Sequence, residues 1–300
     1  MNTVSCPFCG NKEVKETEKV ISPFNQKIYE LMECCNCYLQ FFVPLIFENV
    51  YETEIIQEYV EFHKGRKNYP VWTQAMIQVI KDKNINLNHK KILEIGAGDG
   101  INYIALNEIC QIRPENYLVI ELDPKSIEQC KLKGITKIIN SVFDKNTISN
   151  INDTFDVILI LEVLEHQTNL REFLELVLSL LNQGGLVILT VPNRERFFIN
   201  EFNGDLPPHH FLRFNKKFFK KNFANHLVFL KDYSGNQKYS KINNIKPAAL
   251  KLTSILKLNR NLWILFIPLI PIIRVIIDFM ANIKGRGIIA IIKNHKAVNE

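Results

Sequence analysis

A secretory leader, a basic amino terminus and a phosphate-loop lysine are all missing from this 300-residue chain. The first 20 residues hold Cys, Glu and Lys but no apolar run, so no signal peptide is expected and a cytosolic location follows. In that compartment seven cysteines point to metal binding or free thiols rather than disulfides. Residues 1–40 carry four lysines, five glutamates and no arginine, which argues against a phosphate-binding finger. Composition is otherwise ordinary. At 47% hydrophobic and 23% charged, the chain has enough apolar material for one large domain plus appendages.

The cysteines that are present are spaced for a metal. Cys6-Pro7-Phe8-Cys9 and Cys34-Cys35-Asn36-Cys37 are two Cys-x-x-Cys knuckles separated by 24 residues. Each x-x turn aims two sulfurs at one ion, so Cys6, Cys9, Cys34 and Cys37 can close a tetrahedral Zn2+ site. Such a closed site has no open position for catalysis and is structural. A segment of about 45 residues buries too little apolar surface to fold alone, and zinc would supply the missing stability. Cys35 is expected to be a bystander able to compete for the role of Cys34 or Cys37. Cys110 and Cys130 fall on predicted helices and are expected as core thiols.

Beyond residue 90 an alternating pattern begins. An apolar strand over 91–95 runs into Gly96-Ala97-Gly98-Asp99-Gly100 and then a helix over 102–110. The glycines let the backbone turn sharply and approach a ligand. A second strand over 117–120 ends in Glu121-Leu122-Asp123-Pro124. The spacing from the glycine turn places Asp123 where a carboxylate can hold a ribose. Further strands are expected over 136–140, 155–161 and 186–191, with a leucine-periodic helix over 170–181 that stops at Asn182-Gln183-Gly184-Gly185. The strand over 155–161 is apolar on both faces and so fully buried. Alternating strands and helices mean an open, mostly parallel α/β sheet with ligands at the carboxyl ends of its strands. Position 101 is Ile rather than Gly and no Walker lysine follows, which disfavours a nicotinamide domain and a nucleotide hydrolase.

These residues resemble a class I S-adenosylmethionine-dependent methyltransferase. The matching pieces are Glu94-Ile95-Gly96-Ala97-Gly98-Asp99-Gly100, Glu121-Leu122-Asp123-Pro124, Phe155-Asp156-Val157-Ile158, Glu162-Val163-Leu164-Glu165-His166, Leu181-Asn182-Gln183-Gly184-Gly185 and Val191-Pro192-Asn193. The resemblance implies a Rossmann-like, seven-stranded, mostly parallel sheet. It implies that Glu94, Gly96, Ala97, Gly98 and Gly100 line the methionine end of S-adenosylmethionine, and that Asp123 holds the ribose. Asp144 would meet the adenine amino group with Phe143 beside the ring, and Leu161 and Glu162 would lie under the cofactor. The knuckles followed by Phe41-Phe42-Val43-Pro44 are similar, more loosely, to the zinc-binding start of sugar and surface-glycan methyltransferases.

Two histidine sites are candidates for proton removal from an acceptor. One is His166 in the Glu162-to-His166 box. The other is His209-His210, after Pro207-Pro208, in a loop expected to overhang the cofactor's methyl group. The preferred base is His210 or His209. A sharper alternative, carried by some RNA and quinone O-methyltransferases, is a divalent metal on Glu162, Glu165, His166 and a loop histidine.

The ends of the domain carry the remaining signals. Region 51–83 has helical periodicity and aromatics, and is read as a helical lid or linker. Residues 238–300 hold 11 Lys/Arg against 2 Asp/Glu, while 262–280 has Arg274 and Asp278 as its only charges. Two prolines and those charges argue against a clean transmembrane span. The segment sits between two expected strands, over 226–231 and 287–292, so it is an insertion, suited either to lie in an anionic membrane interface or to pack as a helical pair on the sheet or on a second subunit. The expected organisation is a zinc-binding domain at 1–45, the helical segment at 46–88, the cofactor-binding core at 89–235, the apolar insertion at 236–285 and a last strand at 286–300. The expected activity is methylation of a small or lipid-linked acceptor, such as a surface-glycan sugar. RNA methylation with the basic tail as phosphate contact, and a non-catalytic adaptor, are the competing readings; the tail's apolar content argues against nucleic acid.

Overall fold

The computed structural model describes residues 4–46, 69–196, 203–234 and 285–294. The amino-terminal part is an antiparallel ribbon of β1 (Val14–Ile21), β2 (Ile28–Cys34) and β3 (Gln40–Val43). Leu31 and Phe42, which face each other across β2 and β3, are buried, and so are Met32 and Phe41 on the opposite face, so this part of the ribbon is dry on both sides. Helix α1 (Val71–Asp82) follows, with Val71, Met76, Val79 and Ile80 buried at helical spacing.

Strands and helices then alternate as expected. They run β4 (Ile92–Ile95), α2 (Ile101–Cys110), β5 (Tyr117–Glu121), α3 (Pro124–Leu132), β6 (Lys137–Asn140), α4 (Lys145–Ser149), β7 (Phe155–Leu161), α5 (Leu170–Ser179) and β8 (Leu181–Pro192). After them come β9 (Leu212–Arg213), α6 (Lys216–Asn222), β10 (Leu227–Tyr233) and β11 (Gly287–Lys293). The main sheet has seven strands in the order β10-β11-β8-β7-β4-β5-β6. β6, β5, β4, β7 and β8 are mutually parallel, and β11 and β10 turn antiparallel at one edge. This is the expected Rossmann-like α/β sheet.

The core lies on both faces of that sheet, which is why β7 has no polar face. Val157, Leu159 and Leu161 pack with residues of α1, α2 and α3, while Ile158 and Ile160 point to α5, α6 and the ribbon. The ribbon is therefore joined to the domain through a shared core. β3 extends onto β9, pairing Gln40 with Arg213 and Phe41 with Leu212. Phe8 meets the ring of Phe218 at 5.0 Å, and Arg171 Nε donates to the Phe8 carbonyl at 2.7 Å.

One local expectation is corrected. Gly184 and Gly185 do not stop α5, which ends at Ser179; they lie within β8, which starts at Leu181. Phe155 pairs with Leu181 but Val157 pairs with Leu186, so the glycines form an irregularity in the strand. A Cβ at Gly185 would come within 2.9 Å of the Asn182 carbonyl. Of the expected helical region 51–83, residues 51–68 lie outside the described residues, as do residues 236–284 of the insertion expected over 236–285. The strands on either side of that insertion meet where Tyr233 pairs with Gly287 and Gly287 with Pro192, at the carboxyl end of β8. Among the described residues no helix is long and apolar enough to cross a membrane.

Candidate active site

The glycine turn follows β4 and is built for close approach. Gly96 has φ +71°, and a Cβ there would sit 2.7 Å from a Val163 methyl, so a side chain would collide with the segment after β7. Gly98 N donates to Glu121 Oε2 at 2.7 Å, which ties the end of β5 beneath the turn. Glu121 Oε1 accepts from the amides of Leu122 and Asp123. Burial pushes the Glu121 carboxyl up, and those three amides oppose it. Asp123 is placed differently from Glu121. Its carboxylate caps α3, accepting from Lys125 N, Ser126 N and Ser126 Oγ.

The other expected cofactor residues have clear local roles. Glu94 is fully buried and accepts from Asn102 Nδ2 at 2.7 Å and Tyr117 OH at 2.6 Å. Burial raises its carboxyl to about 7. Ala97 packs into the core beneath the turn. Asp144 caps α4 through Thr147 N, and Phe143 meets Phe173 edge-on at 5.1 Å. Leu161 ends β7 buried, and Glu162 follows with φ +56°, its Oε1 accepting from Tyr233 OH at 2.8 Å. A non-glycine residue in that backbone region is strained, and here the Tyr233 hydrogen bond holds it.

Beyond β7 the histidines converge. Leu164–His166 form one 3-10 turn that brings Glu165 and His166 beside His210. The ligand atoms of these three residues all lie within 4.8 Å of one another. His166 Nδ1 sits 2.6 Å from the His209 carbonyl oxygen, which can only accept. Nδ1 therefore carries the proton, and Nε2 presents a lone pair. His210 Nδ1 is 3.5 Å from Asp205 Oδ1, and its Nε2 is 4.0 Å from Glu165 Oε1. Both carboxylate oxygens of Glu165 are buried without a hydrogen-bond partner. Burial, then the Glu162 charge, pushes the Glu165 carboxyl well above the usual carboxylate range. His209 is turned away: its ring meets Phe24 edge-on at 4.6 Å, and burial drops its pKa to about 4.

The ribbon brings its four cysteines together. Cys6, Cys9, Cys34 and Cys37 form one cluster, with Sγ–Sγ distances of 3.5 Å for Cys6–Cys37 and for Cys9–Cys34. Cys35 is exposed and stands outside it. A tetrahedron with metal–sulfur bonds of about 2.3 Å has edges of about 3.8 Å, so the cluster has the size of a four-thiolate site.

Sequence reasoning missed several residues of this region. Asp205 orients His210 and pairs with Arg196. Burial would raise the Asp205 carboxyl, but the His210 hydrogen bond and the Arg196 charge outweigh it and hold it below the usual range. An aspartate in an irregular loop has no periodicity to reveal it. Glu121 carried a signal, since it stands in the same Glu-Leu-Asp-Pro stretch as Asp123.

The comparisons fit this geometry. A family model described as a methyltransferase domain matches residues 72–226. A ubiquinone biosynthesis O-methyltransferase of Rickettsia bellii is 28% identical over 129 residues, covering 42% of this chain and 52% of the relative. The mitochondrial ubiquinone biosynthesis O-methyltransferase of Schizosaccharomyces pombe is 29% identical over 127 residues, covering 40% and 43%. The chain thus spans about half the length of the curated relatives it matches. Among solved structures, the plantazolicin methyltransferase BamL, in complex with a triazolic desmethylPZN analog and SAH, has a similar fold. The TM-score is 0.51 at 16% identity, over 82% of this chain and 94% of that one.

Proposed function

The chain belongs to the methyltransferase-domain family, and we propose that it transfers the methyl group of S-adenosylmethionine to a hydroxyl of a small-molecule acceptor. The observation that carries this is a juxtaposition. The Gly96 turn, closed from below by Glu121, lies beside the segment that leads through Val163 to Glu165, His166 and His210.

S-adenosylmethionine supplies, when bound, a methyl group already activated on a cationic sulfur. The protein's tasks are then alignment and removal of the acceptor proton. The turn, bare of side chains at Gly96, Gly98 and Gly100, fits a cofactor's close approach. Glu121 is the better candidate for the ribose, because it touches the turn directly while Asp123 is engaged as a helix cap. Asp144, Phe143, Leu161 and Glu162 line the ends of the neighbouring strands. His210, oriented by Asp205, takes the acceptor proton at Nε2. His166 and the carbonyl of His209 hold the surrounding loop.

A second reading is favoured by the orphaned Glu165 carboxylate. Two unpartnered buried oxygens in one cluster with the His166 and His210 rings fit a divalent cation. A metal there would lower the pKa of an acceptor hydroxyl. Glu165, His166 and His210 would hold it, with Glu162 nearby. At the other end of the chain, Cys6, Cys9, Cys34 and Cys37 fit a structural Zn2+.

The acceptor reading rests on the relatives named for ubiquinone biosynthesis, whose names place methylation on oxygen. A sugar hydroxyl is within the same class. A lipid-linked acceptor would suit the basic, apolar 248–280 segment, whose flanking strands β10 and β11 meet at the site's end of the sheet. Methyl-labelled S-adenosylmethionine with catechol as acceptor tests the proposal. Label should pass to catechol, and His210→Ala should abolish transfer while cofactor affinity stays. Activity lost on chelation and regained with Mg2+ supports the second reading. Cofactor binding without transfer to catechol, to sugars or to any other hydroxyl acceptor would leave the adaptor reading. Strongly salt-dependent RNA binding would favour the RNA reading.

A further inference from the structure

The order of the strands places a crevice between β4 and β7. β5 and β6 lie on one side of that pair and β8 on the other, so the winding reverses there. Ligands of such sheets sit outside the carboxyl ends of the strands at the reversal. The glycine turn leaves β4 at this point, and Glu162 leaves β7. The two segments adjoin, because a Cβ on Gly96 would come within 2.7 Å of a Val163 methyl. Glu162 is half-buried and its backbone is in the left-handed region, at φ +56°. Its amide donates to the Thr190 carbonyl on β8 at 3.0 Å.

The group that fixes its side chain comes from the far edge of the sheet. Tyr233 ends β10, which is separated from β7 by β11 and β8, a distance of about 14 Å at ordinary strand spacing. The register lines up Tyr233, Gly287 and Pro192 across three strands. The Tyr233 ring lies over Gly287 in that row: a Cβ on Gly287 would sit 2.3 Å from the ring Cζ and 2.4 Å from the hydroxyl. Glycine at 287 is what lets the ring cross. The hydroxyl then donates to Glu162 Oε1 at 2.8 Å. The base of the ring is fixed as well. Arg286 N donates to the Tyr233 carbonyl at 2.7 Å, and the preceding Asp232 pairs with Lys216. Burial, then the charge of Glu162, holds the Tyr233 hydroxyl well above its ordinary range, so it stays a donor. Burial also raises the Glu162 carboxyl, and the Tyr233 hydrogen bond opposes that by favouring the charged form.

We infer that Tyr233 is a positioning residue that holds the Glu162 carboxylate at this crevice, where it favours the cationic cofactor over its uncharged product. This deepens the proposed methyl transfer and rests on it for the identity of the cofactor. In that reaction the bond between methyl and sulfur breaks, its electron pair stays on sulfur, and a sulfonium becomes a neutral thioether. The ammonium, carboxylate, ribose and adenine are the same before and after. A sulfonium has no proton to donate, so a protein senses it through its charge. A carboxylate held half-buried attracts that charge more strongly than one in open water, and the attraction ends when the methyl group has left. Glu162 thus helps to retain the reactant and to release the product.

The test is calorimetric titration of S-adenosylmethionine and of S-adenosylhomocysteine into the full chain, at constant pH and salt. The readout is the ratio of the two affinities, which a general loosening of the fold leaves alone. Glu162→Gln should shift that ratio about tenfold toward S-adenosylhomocysteine, roughly 1.4 kcal/mol. Tyr233→Phe keeps the ring over Gly287 and loses the hydroxyl; it should shift the ratio the same way, by a smaller factor. Because Tyr233 acts through Glu162, the double variant should match Glu162→Gln alone. Sinefungin, which carries an amine cation in place of the sulfonium, should follow S-adenosylmethionine through the series. A ratio unchanged in both single variants would overturn the inference. So would a double variant whose shift is the sum of the two single shifts, or sinefungin following S-adenosylhomocysteine. If the wild-type chain binds neither cofactor form, the methyl-transfer reading falls and this inference with it. Binding of both forms with an unmoved ratio overturns the inference alone.

Discussion

Glu94 shows how much one buried carboxyl can couple folding to pH. Its pKa is raised from 4.5 to about 7, first by burial, with Tyr117 and Asn102 acting against the shift. The folded protein therefore keeps a proton that the unfolded chain releases. Stability from this group is full below 4.5 and is lost as pH rises through about 7. Glu94→Gln has no proton to lose, so its stability relative to wild type should improve by up to about 3 kcal/mol between pH 5 and pH 8. Urea unfolding of the cofactor-free protein at the two pH values checks this, and a pH-independent difference would contradict it. Glu121 and Asp123 give a second residue-scale prediction. Glu121→Ala should weaken S-adenosylmethionine binding more than Asp123→Ala does. Asp123→Ala should chiefly lower stability, by about 1 kcal/mol, through loss of a helix cap. A stronger loss of affinity from Asp123→Ala would return the ribose to Asp123. At this scale the sequence marked the glycine turn and the histidines, because both are dense local patterns. It did not separate Glu121 from Asp123, since two acidic residues two positions apart in a loop differ only in what they touch.

The ribbon is the element that joins the cysteine cluster to the histidine loop. β3 pairs with β9, which directly follows His210 and Phe211. Phe42 N donates to the Phe211 carbonyl at 2.9 Å, and Phe211 N donates to the Glu165 carbonyl at 2.8 Å. Ser22 Oγ donates to the Pro207 carbonyl at 2.7 Å. The histidine loop is thus held on both sides by the cysteine ribbon. The glycine turn is held by Glu121 instead. Cys34→Ser should therefore release the metal, lower the melting temperature and reduce turnover, while cofactor affinity changes little. Turnover unaffected by loss of the metal would show that the ribbon does not position the loop. The elements of the main sheet were legible because β7 and its neighbours are long apolar runs flanked by turn residues. β9 was not, because two residues carry no periodicity and the partner strand lies far away in the chain. The glycine pair at 184–185 misled for a different reason. A helix stop and a strand irregularity draw on the same backbone freedom.

The whole molecule is a sheet with its chemistry gathered at one end. The glycine turn, the strained Glu162 and the histidine cluster all follow carboxyl ends of parallel strands or the segments beyond them. The attachment points of the basic, apolar insertion lie at that same end. Deleting 262–280 should abolish flotation with anionic liposomes, and an unchanged float would remove the membrane from the account. Charge asymmetry made the insertion visible in the sequence, whereas its occupant could not be read from hydropathy alone. If the Gly96 turn and Glu121 hold S-adenosylmethionine, calorimetric titration of S-adenosylmethionine into the full chain gives one-to-one binding that Glu121→Ala weakens and His210→Ala leaves intact. A titration without binding heat, at two temperatures, would remove the cofactor from this site.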